Sequence, residues 1–278
     1  MRLSVNHNTV YRYSEPTRRI IQLLRVTPPS FQGQTVLNWR IDVDCDARLR
    51  QGRDGYGNVT HMLYVDAPVR ALTISVSGRV LTEDRAGIVK GVLGDLPPEV
   101  FLRETPLTAA ADALDWLASE IAGEGGATID MLHRLNRQIH GRMRFDVDAT
   151  GVGTRAEEAF AAGHGVCQDF GHIFLAVARR IGIPARYVSG HLFRRDGVHR
   201  QTAAHAWVEA WVEGLGWVAF DPTNGICADD AYLRVASGLD YQEAAPVVGA
   251  RSGGGAEELS VEVSVHQAQS QAQWQVQN

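Results

Sequence analysis

Cysteine is scarce in this sequence, and long apolar runs are missing from it. The 278 residues include three cysteines, Cys45, Cys167 and Cys227. Their odd number and wide spacing argue against a disulfide framework and fit a reducing compartment. No window approaches the roughly 18 uninterrupted apolar residues of a membrane span. The N-terminus alternates polar and apolar residues, unlike a secretory signal. We therefore expect a soluble, cytoplasmic protein that does not have a membrane as its partner.

Clusters of positive charge are missing as well. Lys and Arg number 27 against 32 Asp and Glu, which gives a formal net charge of -5. A nucleic-acid-binding surface requires a basic patch or stripe, so nucleic acid is not an expected partner. The composition, with 45% hydrophobic and 21% charged residues, is that of a folded protein. A chain of this length suggests two domains.

The first part of the chain alternates apolar and polar residues in the manner of β-strands. Residues 52–58 contain Gly, Asp and Asn, which accept a positive φ, and they predict a hairpin turn. Residues 84–98 are rich in Gly, end in Pro97-Pro98 and break the strand pattern. We predict an all-β N-terminal domain over residues 1–98. Its strands are predicted at residues 4–13, 18–27, 36–44, 59–65 and 71–81.

The second part has apolar residues at helical spacing and then returns to a strand pattern. A long helix over residues 166–181 is stopped by Gly182 and Pro184. Helices followed by antiparallel strands indicate an α+β fold, which we assign to residues 99–250. Residues 251–278 are predicted as a linker, a strand at 259–265 and a Gln-rich tail that could be disordered. The other predicted helices are at residues 108–121, 129–141, 154–162 and 232–236, and the strands at 185–193, 204–212 and 217–221.

Cys167 stands where a Gly-containing loop, Gly163 to Val166, becomes the long helix. A thiol at a helix N-terminus lies at the positive end of the helix dipole, and this position favours the thiolate. The unpaired backbone N–H groups there can also bind an oxyanion. A lone cysteine is more often a packing residue, but this one should react rapidly with alkylating agents if it is a nucleophile.

Two further residues complete a possible catalytic set. His205 begins a strand on which it shares a face with Trp207 and Glu209, and Asp221 ends the next strand directly before Pro222. Acyl transfer by a thiol requires a base to take its proton and a carboxylate to orient that base. We therefore predict a triad in which Cys167 attacks an amide, His205 moves the proton and Asp221 orients His205.

The segments that carry these residues resemble the bacterial transglutaminase-like family. This resemblance implies a papain-like α+β core, in which a helix bearing the cysteine packs on an antiparallel sheet, preceded by the β-rich N-terminal region of bacterial members. It also implies a thiol acyl-enzyme mechanism without a required cofactor, and it places nucleophile, base and carboxylate at Cys167, His205 and Asp221. The matching segments are GVCQDF at 165–170, GIPARYVSG at 182–190, HAWVE at 205–209 and WVAFDPTN at 217–224.

The strand register is the open point of this triad. If residues 214–216 form a turn centred on Leu215, His205 lies ten residues before the centre and Asp221 six after it. A flat ladder would then separate the two residues by four positions, or roughly 13 Å. A bulge, a bend or a shifted turn is needed to bring them together.

Other roles for the polar residues stay open. His164, His172 and His205 could form a metal site with Cys167, but no paired metal-ligand spacing supports it. Asp169 and His172 more simply form a pair on the helix surface or support the site. His191 is a further polar residue near these motifs. Cys227, six residues after Asp221, could approach the site, but a buried structural thiol is the simpler role for it. Cys45, in a predicted strand, is also more simply structural.

Three functions fit the predicted fold. The first is a cysteine peptidase or amidase, in which water resolves the acyl-enzyme. The second is a protein-glutamine transglutaminase, in which an amine resolves it, and the third is a non-catalytic binding module. We favour hydrolysis of a peptide or protein substrate, because the sequence has no recognisable calcium loop or extra β domains like those of the large animal cross-linking enzymes.

Overall fold

The structure is a computed structural model that describes residues 1–94 and 96–268, and its fold is α+β with mostly antiparallel sheets. The predicted fold class is thus confirmed. The Gln-rich tail beyond residue 268 lies outside the described residues. Over the two described ranges, no helix has both the length and the apolar character needed to cross a membrane.

The described elements follow the chain in this order. The helices are α1 (Asp112–Gly123), α2 (Thr128–Arg142), α3 (Ala156–Ala162), α4 (Cys167–Arg180) and α5 (Tyr241–Ala244), with a 3-10 helix at Pro98–Leu102. The strands are β1 (Arg2–Tyr13), β2 (Thr17–Thr27), β3 (Gln34–Val43), β4 (Arg48–Arg53), β5 (Val59–Val65), β6 (Ala71–Thr82), β7 (Ile88–Val89), β8 (Arg144–Phe145), β9 (His164–Gly165), β10 (Ala185–Leu192), β11 (Arg200–Gln201), β12 (His205–Val212), β13 (Gly216–Asp221), β14 (Ile226–Cys227), β15 (Tyr232–Gly238), β16 (Val247–Gly253) and β17 (Glu257–Gln267).

The N-terminal region is a sandwich of two antiparallel sheets, with strand orders β11-β17-β1-β6-β3 and β16-β2-β5-β4. Alternate residues of β1 and β6 are buried, and side chains from both sheets form one core. All five strands predicted here are confirmed. Strand β4, with the sequence RLRQGR, was missed because all of its residues are exposed and it has no apolar alternation. Cys45 was predicted to lie in a strand, but it lies in the bend that precedes β4.

The end of the described chain returns to this N-terminal sandwich. Strand β17 pairs with β1 from Leu3 opposite Gln267 to Tyr13 opposite Glu257, which confirms the strand predicted at 259–265. Strand β16 pairs with β2 and includes residues 251–253, the start of the segment predicted as a linker. Residues 247–267 therefore add two strands to the first region, and the boundaries at 98 and 250 stay predictions.

The rest of the chain forms a second core around α4, which packs against the sheet β14-β13-β12-β10-β15. Every residue from Gln168 to Arg179 is buried. Strand β12 turns Ala206, Val208 and Ala210 toward the core that contains α4, so small and branched side chains let the helix approach the sheet. The helices predicted at 108–121, 129–141, 154–162 and 166–181 are confirmed, as are the strands at 185–193, 204–212 and 217–221.

The short helix predicted at 232–236 is wrong, because these residues belong to strand β15. All seven residues of β15, with the sequence YLRVASG, are buried. A short strand that is buried on both faces has no alternation, and its sequence resembles that of a buried helix. Strand β15 is the outer strand of the second sheet and faces the N-terminal sandwich.

Two amide side chains of the N-terminal sandwich cover the outer edge of β15. Gln34 donates from Nε2 to the Arg234 carbonyl (2.9 Å) and accepts the Arg234 N–H at Oε1 (2.8 Å). Asn58 makes the same two contacts with Ser237, at 2.7 and 2.8 Å. A strand edge that is buried must find donors and acceptors elsewhere, and these amides replace a neighbouring strand. The sandwich and the second sheet are thereby joined by paired hydrogen bonds.

We expect Gln34→Ala to lower the free energy of unfolding by roughly 2 kcal/mol, because it leaves the buried backbone groups of Arg234 without partners. Urea denaturation followed by circular dichroism measures the change. Gln51→Ala, on exposed strand β4, is the matched control and should have little effect. Equal stabilities for the two variants would contradict a structural role for the Gln34 amide.

Candidate active site

Cys167 is the first residue of α4, and Asp169 fixes the chain that leads into it. The Asp169 carboxylate accepts the Val166 N–H (2.8 Å) and the Thr150 hydroxyl (2.6 Å) at Oδ2. A Cβ on Gly165 would lie 2.6 Å from this oxygen, so only glycine fits at that position. Burial raises the pKa of Asp169, and its hydrogen bonds oppose this effect. Asp169 thus acts as a carboxylate cap at the N-terminus of the helix.

A second segment flanks the start of α4. Strand β8 runs parallel to β9, and the Asp146 N–H donates to the Gly165 carbonyl at 2.9 Å. The Gln168 side chain donates to the Val152 carbonyl at 3.2 Å. These contacts hold residues 146–152 beside Cys167, which is itself partly exposed. Cys167 therefore lies at the partly exposed start of a buried helix.

His205 and Asp221 are in direct contact, with 2.7 Å between His205 Nε2 and Asp221 Oδ2. Of a bulge, a bend and a shifted turn, the structure has the shifted turn. Strands β12 and β13 pair regularly from Val208 opposite Phe220 to Val212 opposite Gly216, so the turn is centred on Gly214 and not on Leu215. Continuing this register places Asp221 opposite Trp207, one diagonal step of roughly 7 Å from His205.

The Asp221 carboxylate is completely buried and has several donors besides His205. Its Oδ1 accepts the N–H groups of Thr223 (2.9 Å) and Asn224 (3.2 Å). Its Oδ2 accepts the Asn224 side chain (2.6 Å) and the Tyr232 hydroxyl (2.7 Å). Burial acts to raise the pKa of Asp221, but the charge of His205 and these hydrogen bonds lower it below its usual value. Asp221 is therefore held as a carboxylate.

The His205 imidazole is held in its charged form. Burial alone would lower its pKa, but Asp221, by charge and hydrogen bond, and the adjacent Cys167 thiol raise the pKa to about 10. Because Nε2 is bound to Asp221, Nδ1 is the ring nitrogen left for the thiol. The Trp207 ring stacks on the imidazole at 6.1 Å between centroids. The structure thus brings Cys167, His205 and Asp221 together in the order that the triad requires.

Tyr232 and Asn224 are parts of this arrangement that sequence reasoning did not assign. Asn224 belongs to the segment WVAFDPTN, but no role was derived for it. Tyr232 was placed in a helix, which hid its position on β15 beside Asp221. The signal available in the sequence was weak, because a Tyr hydroxyl eleven residues from an Asp has no characteristic spacing.

The remaining polar candidates contact partners other than the triad. His172 is fully buried rather than on the helix surface, its Nε2 accepts the Tyr241 N–H at 3.1 Å, and burial lowers its pKa to about 3. His191 lies against His7 of the N-terminal sandwich, with 5.5 Å between ring centroids. Cys227 lies on β14 opposite Phe220, and burial raises its pKa. In residues 1–94 and 96–268, no three His, Cys, Asp or Glu side chains are placed to hold a metal ion.

Comparison with known proteins gives matches over both regions. Residues 115–222 match the Transglutaminase-like superfamily, and residues 3–81 match the Bacterial transglutaminase-like N-terminal region. An uncharacterized protein of Mycobacterium leprae is 31% identical over 283 residues, covering 95% of this chain and 98% of that protein. A protein-glutamine gamma-glutamyltransferase of Pseudomonas aeruginosa is 34% identical over 99 residues, which are 33% of this chain and 14% of that protein.

A solved structure from Cytophaga hutchinsonii, described as a candidate cysteine protease, has the same fold. It superposes with a TM-score of 0.78 at 21% sequence identity, covering 96% of this chain and 90% of that one. The likeness extends over the N-terminal sandwich as well as the region around α4. The two regions therefore occur together in another protein.

We expect Tyr232→Phe to lower the free energy of unfolding by about 1.5 kcal/mol, because a hydroxyl that donates to a buried carboxylate is lost. A double-mutant cycle with Asp221→Asn, measured by urea denaturation, isolates this contact. The two effects should be clearly non-additive, whereas Tyr64→Phe, in the N-terminal sandwich, should be additive with Asp221→Asn. Additivity at Tyr232 would show that its hydroxyl does not support Asp221.

We also expect the stability difference between the unchanged protein and His205→Gln to depend on pH. The folded pKa of His205, about 10, lies above the ordinary value of 6.5. Its charged form therefore contributes stability that is fully present below about pH 6.5 and is lost as the pH rises through about 10. Urea denaturation of both proteins between pH 6 and 10 measures the difference. A difference that stays constant over this range would contradict an imidazolium held by Asp221.

Proposed function

This chain belongs to the transglutaminase-like superfamily, and from that premise we propose that it is a thiol-dependent amide hydrolase that acts through an acyl-enzyme on Cys167. The observation that carries the proposal is the His205 imidazole, which contacts Asp221 through Nε2 at 2.7 Å and faces Cys167 on its other side. A thiol, a base and an orienting carboxylate are the groups that amide cleavage by a cysteine needs.

The proposed reaction has two halves. The Cys167 thiolate attacks the amide carbonyl carbon, and the C–N bond breaks as the His205 imidazolium gives its proton to the leaving amine. The N–H groups at the first turn of α4 stabilise the oxyanion, since they lie at the positive end of the helix. Water then attacks the thioester while His205 takes its proton. The C–S bond then breaks, which releases the carboxylic acid and the Cys167 thiolate. His205 keeps the proton that it took from water and is again an imidazolium.

The proposed substrate is the amide of a peptide or protein, and water is the proposed acceptor. Cys167 is the first residue of α4 and is partly exposed, which supports water as the acceptor. Transfer to an amine is the second candidate, because a stretch of this chain is similar to a protein-glutamine gamma-glutamyltransferase. How well the acceptor channel excludes water decides between the two outcomes. A cytoplasmic location stays a prediction.

The test is to trap the acyl-enzyme. We expect mass spectrometry of the protein, after incubation with a panel of peptides and amides, to show an acyl adduct on Cys167. The adduct should be absent from Cys167→Ser and should form more slowly in His205→Gln, because the base is missing. Cys45→Ser, which changes a cysteine of the N-terminal sandwich, is the matched control and should still form it.

Adding a primary amine then identifies the acceptor. Free acid as the main product in the presence of the amine supports hydrolysis, and an amine-linked product would replace it with transfer. Absence of any adduct together with slow alkylation of Cys167 would overturn the enzymatic proposal and leave a binding module.

A further inference from the structure

A cavity of about 50 Å³ lies between the N-terminal sandwich and the second sheet, away from Cys167. One wall comes from residues 31–34, 82, 83, 85 and 87–89. The other comes from β12 and β15, through Trp207, Glu209, Tyr232 and Arg234. Cys167, His205 and Asp221 are not among the described residues that line it. The cavity thus adjoins the proposed active site through Trp207 and Tyr232, while the triad side chains do not line it.

The charges behind this cavity do not cancel. Glu209 is fully buried, and it accepts Arg186 Nε at Oε2 (2.6 Å) and Arg234 Nε at Oε1 (2.8 Å). Two guanidinium groups therefore share one carboxylate, which leaves one positive charge in excess. A buried charge without a counter-charge or hydrogen-bond partner is strongly unfavourable. The excess charge favours an anionic ligand.

Arg234 is the buried cation in the wall of this cavity. The side chain of Arg234 is 4% exposed, and its Nη2 is buried without a hydrogen-bond partner among the described residues. Buried guanidinium N–H groups normally bind an acceptor, and carboxylates match their planar geometry. Arg234 lines the cavity, so it is the buried cation beside an acceptor bound there.

The nearby acidic groups do not fill this role. Asp229, which also lines the cavity, is bound to Arg195 at 2.6 Å and to the Ala231 N–H at 2.8 Å. Glu83 and Arg85 are exposed at the mouth, where their opposite charges offset each other. Glu209 therefore still serves two guanidinium groups, and these acidic groups do not add a second negative charge beside them.

We propose that this cavity binds a small aliphatic carboxylate, with its oxygens on the Arg234 guanidinium. The volume holds only a few heavy atoms, and the walls include apolar side chains of Phe31, Ile88, Val89 and Trp207 that would contact a short alkyl group. Because Trp207 stacks on His205 and Tyr232 donates to Asp221, a bound carboxylate changes the surroundings of the His205 and Asp221 pair.

The test is thermal unfolding of the full chain in sodium propionate and in sodium chloride at equal pH and ionic strength. We expect propionate to raise Tm saturably, with a rise of about 2–4 °C at a fivefold excess over Kd. Arg234→Met removes the donor and leaves Glu209 paired with Arg186, so the rise should be lost. Arg180→Met, which changes a half-exposed arginine that pairs with Asp115, is the control and should keep it.

A second variant tests the cavity without removing a buried charge. Ala228→Leu places a larger side chain in the lining and leaves all charges in place, so it should abolish the propionate effect in a folded protein. In the unchanged protein, propionate should also alter the rate of Cys167 alkylation by iodoacetamide, and Ala228→Leu should remove this response. An equal rise with chloride, or a propionate effect that persists in both cavity variants, would overturn the proposal.

Discussion

The Asp221 carboxylate has no contact with solvent, and a buried charge is stable only where donors replace the water that it has lost. Its donors come from β12, from the turn after β13 and from β15. Three chain segments must therefore hold their relative positions for the charge to be tolerated. The orientation of His205 follows from the same requirement, because its Nε2 is one of those donors.

This requirement extends beyond the sheet that carries the site. Strand β15 supplies Tyr232, and its outer edge is paired with the side-chain amides of Gln34 and Asn58. The N-terminal sandwich thus stabilises the strand that supplies a donor to Asp221. The carboxylate of Glu209, which Arg186 and Arg234 share, also lies where the sandwich meets the second sheet. This seam between the two regions is therefore rich in buried charge. Such a seam has few alternative packings, since each displaced partner leaves a charge or amide unpaired.

Local patterns in the sequence were sufficient for much of the fold. Period-two alternation located β1 and β6, and the glycine loop with Gly182 and Pro184 bounded the helix that begins at Cys167. Exposed β4 and fully buried β15 escaped because neither has an alternating pattern. The contact of His205 with Asp221 depended on a one-residue shift of the turn to Gly214, which spacing alone does not fix. The role of Tyr232 required the partner strand of β15, and a local pattern does not specify partners.

The pairing of β17 with β1 has a consequence for how this chain folds during synthesis. Strand β1 is made first, yet one of its two neighbours in the sheet is residues 257–267. The whole region around α4 must be synthesised before that neighbour is available. Until then, one side of β1 is an unpaired edge that can pair with other chains. Closure of this sheet is a contact of very long sequence separation, which makes it a slow step in folding. Since β17 also pairs with β11, just before His205, the segment leading into the proposed catalytic base gains its last strand contact only at that late step.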